Sequence, residues 1–384
     1  MQLLLESLFN GVAIGSVLMM AALGLAIVFG LMGVINLAHG ELIMLGAYTT
    51  YVVQMVFKLP AFQPIYSLYV LVAIPLAFVV SGVVGILLER TVIRRLYGSP
   101  LETLLATWGV SLILQQFVRS VPLAHAAGLI LALVLGFGLP LVLPQRLFEG
   151  PKARINRAIT WAVSAFGGVL LAGGLASQIS RIARATSRNV DVTAPKWMRG
   201  GIEWMDITFP VPRLVIIVMT ILAVLGVTWF LNRSVWGMRI RAVTQNRSMS
   251  DCLGIPTDTV DVLTFGIGSG LAGVAGVAVS LLGSVGPNVG GSYIVGCFMV
   301  VVLGGVGNLL GTVLASFAIG LLTDLIGAGR LLTIWPEMPA PLAGAVNFFA
   351  TTSMAQVLVF ALIVVFLQFR PAGLFPQKGR MVEA

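Results

Sequence analysis

Charge is scarce in this sequence. Only 10% of its 384 residues are Asp, Glu, Lys or Arg, against about 25% in a soluble domain. Histidine occurs twice, as His39 and His125, and cysteine twice, as Cys252 and Cys297. Groups so few and so scattered give no disulfide framework and no side-chain metal cluster. The phosphate loop Gly-x-x-x-x-Gly-Lys-Ser/Thr does not occur, nor does the Gly-x-Ser-x-Gly nucleophile elbow. An enzyme reading therefore has little footing, and no cofactor is expected on this chain. The start, MQLLLESLFNG, has no basic n-region, so a cleaved leader is not expected.

Hydrophobic residues are abundant, at 58% of the chain, and the mean hydropathy is +1.02. These values describe an all-α polytopic membrane protein. The 44 glycines suit close helix packing in lipid, where small residues let backbones touch. A net charge of +9 would suit nucleic acid if it were clustered, but the basic residues sit in short loops between apolar runs. That placement controls topology, and no nucleic-acid partner is implied.

Apolar runs cover 8–29, 42–57, 68–88, 101–118, 123–143, 158–179, 214–231, 260–282, 294–306, 309–325 and 356–369, about eleven membrane segments. Arg90, Arg94 and Arg95 mark one loop as cytoplasmic, and Arg146, Lys152, Arg154 and Arg157 mark another. Arg233, Arg239, Arg241 and Arg247 mark a third, and Arg370, Lys378 and Arg380 place the C-terminus on the same side. Alternation then puts the N-terminus and the polar stretch 180–212, with Trp197 and Trp204, outside.

The chain is organised around GLMGVINLAHGELIMLG, residues 30–46. Asn36, His39 and Glu41 stand between two lipid-length runs, with Gly33 and Gly40 beside them. Glycine loosens a helix, and in a bilayer loosened backbone survives only where protein or water covers it. An interrupted or re-entrant helix lining a polar route is one reading. The plainer one is a short cytoplasmic loop. Thr103, Thr107 and Ser111 recur at i, i+4 and i+8 and share one helix face, with Gln115 and Gln116 further along. They are either interhelical hydrogen-bonders or a wall of that route.

A second informative loop holds a candidate helix over 238–254, with Gly254 at its C-terminal end and Pro256 just beyond. Arg239, Arg241, Ala242, Met249, Leu253 and Gly254 would form a docking surface for a cytoplasmic partner, or a helix on the lipid surface. Gly266, Gly268 and Gly270 look nucleotide-like, but no strand precedes them, and close helix packing explains them better. Gly33-Val-Ile-Asn36-Leu37 is echoed by Gly305-Val-Gly-Asn308-Leu309, which suggests a pseudo-repeat of two halves with Gly305, Gly307 and Asn308 on the route. An ion-coupled transporter would need buried carboxylates in spans. Glu41 and Asp324 are the candidates, both near span ends. A channel for a small neutral solute also remains open.

GLMGVINLAHGELIMLGAYTTYVVQ, TLLATWGVSLILQQ, RAVTQNRSMSDCLGI, LAGVAGV, VVLGGVGNLLG and the ending FRPAGLF resemble the branched-chain amino acid/urea family of ABC-transporter membrane permeases. TTYVVQ and NVDVTAPKWMRGGIEW are similar to the urea type. The resemblance implies a single permease domain over 1–384 in a bacterial inner membrane. It implies a second related permease, two ATPase subunits that bind ATP and magnesium, and a periplasmic solute-binding protein. It makes 238–255 the coupling helix and puts Asn36, His39, Gly40, Glu41, Gly305, Gly307 and Asn308 on the family's motifs. Import of urea by alternating access follows, with branched-chain amino acids as the alternative. Amide and hydroxyl groups such as Asn36, Asn308, Thr107 and Gln115 suit urea, whereas an amino acid needs partners for both ammonium and carboxylate. One departure is 121–188, two apolar runs with a basic loop where the family pattern passes almost directly onward. It reads as an inserted, peripheral transmembrane hairpin.

Overall fold

A computed structural model describes residues 2–121, 123–142, 156, 159–170, 189–204, 207–330 and 340–375. Helices dominate it. In chain order they are α1 (Gln2–Met32), α2 (His39–Phe57), α3 (Tyr69–Thr91), α4 (Pro100–Ser120) and α5 (Leu123–Val142). Next come α6 (Ile159–Leu170), α7 (Val211–Arg233), α8 (Val235–Gln245), α9 (Arg247–Cys252) and α10 (Thr257–Leu282). Then follow α11 (Val289–Gly304), α12 (Leu309–Gly327), α13 (Ala340–Phe349) and α14 (Thr352–Phe369). Among the described residues, six helices are long and apolar enough to cross a membrane, and α6, α11 and most of α14 are shorter apolar helices. The chain is an all-α, multi-pass membrane protein with one small exception. In the stretch expected outside, β1 (Gly201–Trp204) and β2 (Ile207–Pro210) pair as an antiparallel hairpin, Gly201 opposite Pro210.

The helices α1 and α10 form the centre. α1 packs most extensively on α12, and α10 on α3; α2 lies against α10, α11 against α1, and α1 and α10 touch each other. Exchanging the triplet α1–α2–α3 for α10–α11–α12 maps the first four of these contacts onto one another in pairs and the α1–α10 contact onto itself. The two halves are related as a pseudo-repeat, and the link before α2 and the link before α11 lie at opposite ends of the bundle. Val34, before α2, clusters with Leu88 and Ile93, whereas Val285, before α11, bridges to Val190 of the other end. This is the inverted arrangement found in many transporters.

The repeat is anchored by glycine. A methyl group on Gly40 would collide with the Gly290 carbonyl, and one on Gly290 would lie 2.6 Å from the carbonyl carbon of Gly40. Gly33, Gly40 and Gly46 of the first half thus correspond to Gly283, Gly290 and Gly296 of the second, a constant offset in sequence. The echo expected between 33–37 and 305–309 is a different kinship. Both are helix ends with a positive-φ glycine, 69° at Gly33 and 99° at Gly305, followed three residues on by an asparagine: Asn308 caps α12, whereas Asn36 bonds Ala38 N in an Asx turn. They do not pair across the repeat.

The helix expected over 238–254 is two helices. Asn246 breaks it with extended backbone at φ −153°, and its Oδ1 accepts from Met249 N at 3.0 Å to cap α9. Asparagine competes for backbone donors in just this way. Gly254, at φ 79°, ends the second piece as expected. Within 121–188, α5 packs on α2 and α3; the basic loop 143–155 lies outside the described residues. The ending FRPAGLF docks on α11: Leu374 N donates to Leu303 O at 2.8 Å and Phe375 N to Gly304 O at 3.3 Å.

Candidate functional site

The helix α2 begins deep in the bundle. His39 Nε2 donates to the carbonyl of Ala21 at 3.0 Å, and Ala21 lies eleven residues before the end of α1 at Met32. At 1.5 Å per residue, the start of α2 is recessed about 16 Å from that end. The link 33–38 therefore climbs back into the protein, and its backbone groups are met there. Gly33 N donates to Phe29 O at 3.1 Å and His39 N to Asn36 O at 3.3 Å. Ala38 N donates to Asn36 Oδ1 at 3.0 Å, an Asx turn. Leu37 N donates to Thr107 Oγ1 at 3.2 Å, while the Thr107 hydroxyl gives its proton to Leu104 O at 3.1 Å. The re-entrant reading of this stretch describes the geometry; a surface loop does not.

The shared face of α4 holds the site's other wall. Ser111 Oγ and Gln115 Nε2 both donate to Glu41 Oε1, at 3.0 and 2.8 Å. Thr107, Ser111 and Gln115 are successive i+4 positions, so one helix face grips both the link and the first turn of α2. Thr103, on the same row, turns to the carbonyls of Leu96 and Ser99 at the helix start.

Asn36 and His39 are fully buried and Glu41 is 1% exposed. Since the Ala21 carbonyl can only accept, the His39 proton resides on Nε2, and Nδ1 is an acceptor. Asn36 Nδ2, His39 Nδ1 and Glu41 Oε2 have no hydrogen-bond partner among the described residues. One donor and two acceptors thus lie buried and unpartnered within six residues, each of which would cost about 1–3 kcal/mol if left unmet; His39 faces α1 and Glu41 faces α4.

Asn308 lies apart from this cluster. Its Oδ1 accepts from Gly311 N at 3.2 Å to cap α12, and its Nδ2 donates to Phe375 O at 3.4 Å. Gly307 packs against Gly30, and Gly305 under the backbone of Phe375. Sequence reasoning missed Arg119, one turn beyond Gln115, which donates to Asn288 Oδ1 at 2.8 Å across to the turn before α11. The i+4 row from Thr103 through Gln115 was the available signal.

At the other end of the bundle, a charge ladder joins the α8–α9 region to the spans. Glu89 pairs with Arg94 at 3.2 Å and Arg94 with Asp258 at 3.3 Å; Arg247 of α9 pairs with Asp261 of α10 at 2.6 Å. Arg247 also stacks on Tyr97 at 5.0 Å. Burial, reinforced by the charges of Asp261 and Glu89, pushes the Tyr97 phenol above its usual range. It stays neutral beside these ions. Arg239 covers Trp236 at 4.9 Å and Arg241 reaches Asn232 at 3.4 Å. Ala242 is half-buried, while Met249 and Leu253 are exposed.

Known proteins share this chain's pattern almost end to end. The chain is 27% identical to the high-affinity branched-chain amino acid permease protein LivH of Escherichia coli K12, over 96% of this chain and 94% of that one. The LivH of Salmonella typhimurium is 26% identical over the same shares. The corresponding BraD of Pseudomonas aeruginosa is 26% identical over 96% of this chain and 95% of that one. These relatives are named for branched-chain amino acids rather than urea, which favours the alternative over the urea type expected from TTYVVQ and the outer stretch. No solved structure matches the chain. The family described as "Branched-chain amino acid transport system / permease component" matches residues 7–367, and the chain belongs to it.

Proposed function

We propose that this chain is a membrane subunit of an ATP-driven importer for branched-chain amino acids. The observation that carries the reading is the recessed start of α2, where Asn36, His39 and Glu41 keep unpartnered buried polar atoms, Glu41 against the α4 row and His39 against α1. It meets the start of α11 through Gly40 and Gly290, so two half-crossing helices abut inside the bundle, as they do at transporter midplanes. Gly33, Gly40, Gly305 and Gly307 would serve as the gating glycines, with Thr107, Gln115 and Asn308 along the path.

Energy has to come from partners, because the sequence carries no phosphate loop. The complex would pair this permease with a second, related one, with two ATPases that hold ATP and magnesium, and with an external binding protein. The ATPases would grip the α8–α9 surface formed by Arg239, Arg241, Ala242, Met249, Leu253 and Gly254. A shift of α9 would pull on α10 through Arg247 and Asp261. α10 lies against α1 and α2, and the Gly268 carbonyl abuts Gly24 beside the His39 ring. Movement there re-biases inward- and outward-open packings, which is alternating access driven by partner binding. The subunit would lie in the inner membrane with its N-terminus periplasmic and C-terminus cytoplasmic. A thiol placed after Ala384 should then resist an impermeant reagent in intact cells.

Urea remains the second reading, favoured by the TTYVVQ segment and the neutral amides near the site. Membranes containing the whole complex, assayed for uptake of labelled leucine and of labelled urea, separate the two. Saturable leucine uptake with no urea uptake supports the proposal. Urea uptake without leucine uptake overturns it.

A further inference from the structure

A cavity of about 220 Å³ opens along the seam between α2 and α4, walled on its far side by α3 and α5. Leu45, Tyr48, Val52, Phe117, Val118 and Leu129 are among its lining residues, and nearly all of its wall is hydrocarbon. The α2 and α4 faces that carry the polar row continue into it. Glu41, Leu45, Tyr48 and Val52 follow one another on one face of α2, and Ser111, Gln115 and Val118 on one face of α4. Leu45 lines the cavity and is one turn from Glu41, so the buried Glu41 carboxylate lies about one helical turn from the cavity wall.

Two further groups stand at this seam. Arg119 is one turn beyond Gln115, tethered to Asn288 at 2.8 Å, and within electrostatic reach of both Glu41 and Tyr48. The Tyr48 hydroxyl is buried and has no hydrogen-bond partner among the described residues. A carboxylate with a spare, buried oxygen, a guanidinium on the same face, and an apolar chamber beside them form three complementary parts. Urea uses none of the chamber. A charged side chain would have to shed its water against hydrocarbon. A branched aliphatic side chain fits, since about 150 Å³ of apolar cavity already accommodates benzene.

We propose that the substrate passes through this seam as a zwitterion, its ammonium on Glu41, its carboxylate toward Arg119 and Tyr48, and its aliphatic side chain in the cavity between α2 and α5. This rests on the amino-acid reading above and extends it. The inserted segment then takes part in selection. Ala126, Leu129 and Ile130 of α5 supply one wall, so the insertion tunes which side chain is passed.

The test uses the complete complex with its own ATPases and binding protein in proteoliposomes, with labelled leucine and labelled alanine. Because every variant shares the same binding protein, any change in the leucine-to-alanine ratio belongs to the permease. Ala126→Phe, which fills the cavity from α5, should lower that ratio at least five-fold, with alanine uptake little changed. Glu41→Gln and Arg119→Gln should each lower uptake of both amino acids at least ten-fold while the ATPases stay bound. Arg119→Lys should recover part of the loss. An unchanged ratio in Ala126→Phe overturns the cavity assignment, as it would if the chamber holds only a lipid acyl chain. Full uptake in Arg119→Gln, or in an assembled Glu41→Gln complex, overturns the zwitterion clamp. If the unaltered complex imports some other solute but neither amino acid, the functional reading itself falls, a result distinct from these.

Discussion

Removing Arg247 should cut the link between the α9 surface and the spans. Its guanidinium contacts Asp261 at 2.6 Å, and the Asp261 side chain is only 5% exposed, whereas Arg247 is 47% exposed. Deleting one partner of a fully buried pair costs about 3–5 kcal/mol, but half of this pair is solvated. The cost of leaving the Asp261 carboxylate without a counter-charge is therefore nearer about 1–3 kcal/mol. Loss of the stack on Tyr97 adds about 0.5–1 kcal/mol. The second contact, to Asp258 at 3.9 Å, joins two exposed groups and adds almost nothing. Arg247→Ala should thus destabilise the subunit by about 1.5–4 kcal/mol. Asp261→Asn, which removes the charge that Arg247 neutralises, should reverse roughly 1–2 kcal/mol of that in the double variant. Chemical unfolding in detergent measures the stability of all four members of the cycle. ATP-driven uptake by the assembled complexes measures the coupling, and both Arg247→Ala variants should hydrolyse ATP with little transport. Additive stabilities, within about 0.3–0.5 kcal/mol, or normal transport by Arg247→Ala, would refute a role for this pair in carrying the motion.

Three further outcomes follow from the packing and the site. His39→Leu removes the bond to the Ala21 carbonyl, a net loss of about 1 kcal/mol, and should impair uptake while assembly, read by co-purification of the ATPases, persists. Gly46→Ala drives a methyl group into the Gly273 backbone, whereas Gly226→Ala meets open space; the first should lower the detergent melting temperature by an amount consistent with about 1–3 kcal/mol or more of overpacking, and the second should leave it unchanged. Met249→Glu places a charge on an exposed apolar site of α9 and should strip the ATPases from a normally inserted permease; retention of the ATPases with full uptake would move the docking face elsewhere on the loop.

The helices, their apolar runs and the polar row on α4 are all periodic features, and periodicity survives in a sequence read alone. The importance of Asn36, His39 and Glu41 is legible too, since polar groups set between two membrane runs must be covered by protein or reached by water. What escaped was long-range. Arg119 meets Asn288 across the 169 positions that separate them, and no local pattern announces that. A pseudo-repeat of two halves was expected, but which segments pair, and in which sense, escaped because the halves share little besides glycine at three aligned positions. Close backbone approach demands glycine on both sides only where Gly40 meets Gly290, whereas Gly33 and Gly283 face open space. The shorter echo at Gly305–Asn308 was more conspicuous because both links share a helix end, a positive-φ glycine and an asparagine that bonds a nearby backbone N–H. The break at Asn246 was missed for a related reason: Met249 and Leu253 keep helical spacing beyond the cap, as 238–245 does before it, and only the local bond from Met249 N to Asn246 separates the two pieces.

The central claim is that this permease moves a branched-chain amino acid only when partner ATPases drive it. Proteoliposomes holding the complete complex, external binding protein and labelled leucine test this directly, with ATP supplied or withheld on the ATPase side. Accumulation against a leucine gradient is expected with ATP, none without it, and none from the permease subunits alone. Leucine equilibrating through the permease subunits without ATPases would contradict the claim and make the protein a channel; accumulation that follows an imposed ion gradient at constant ATP would contradict it equally.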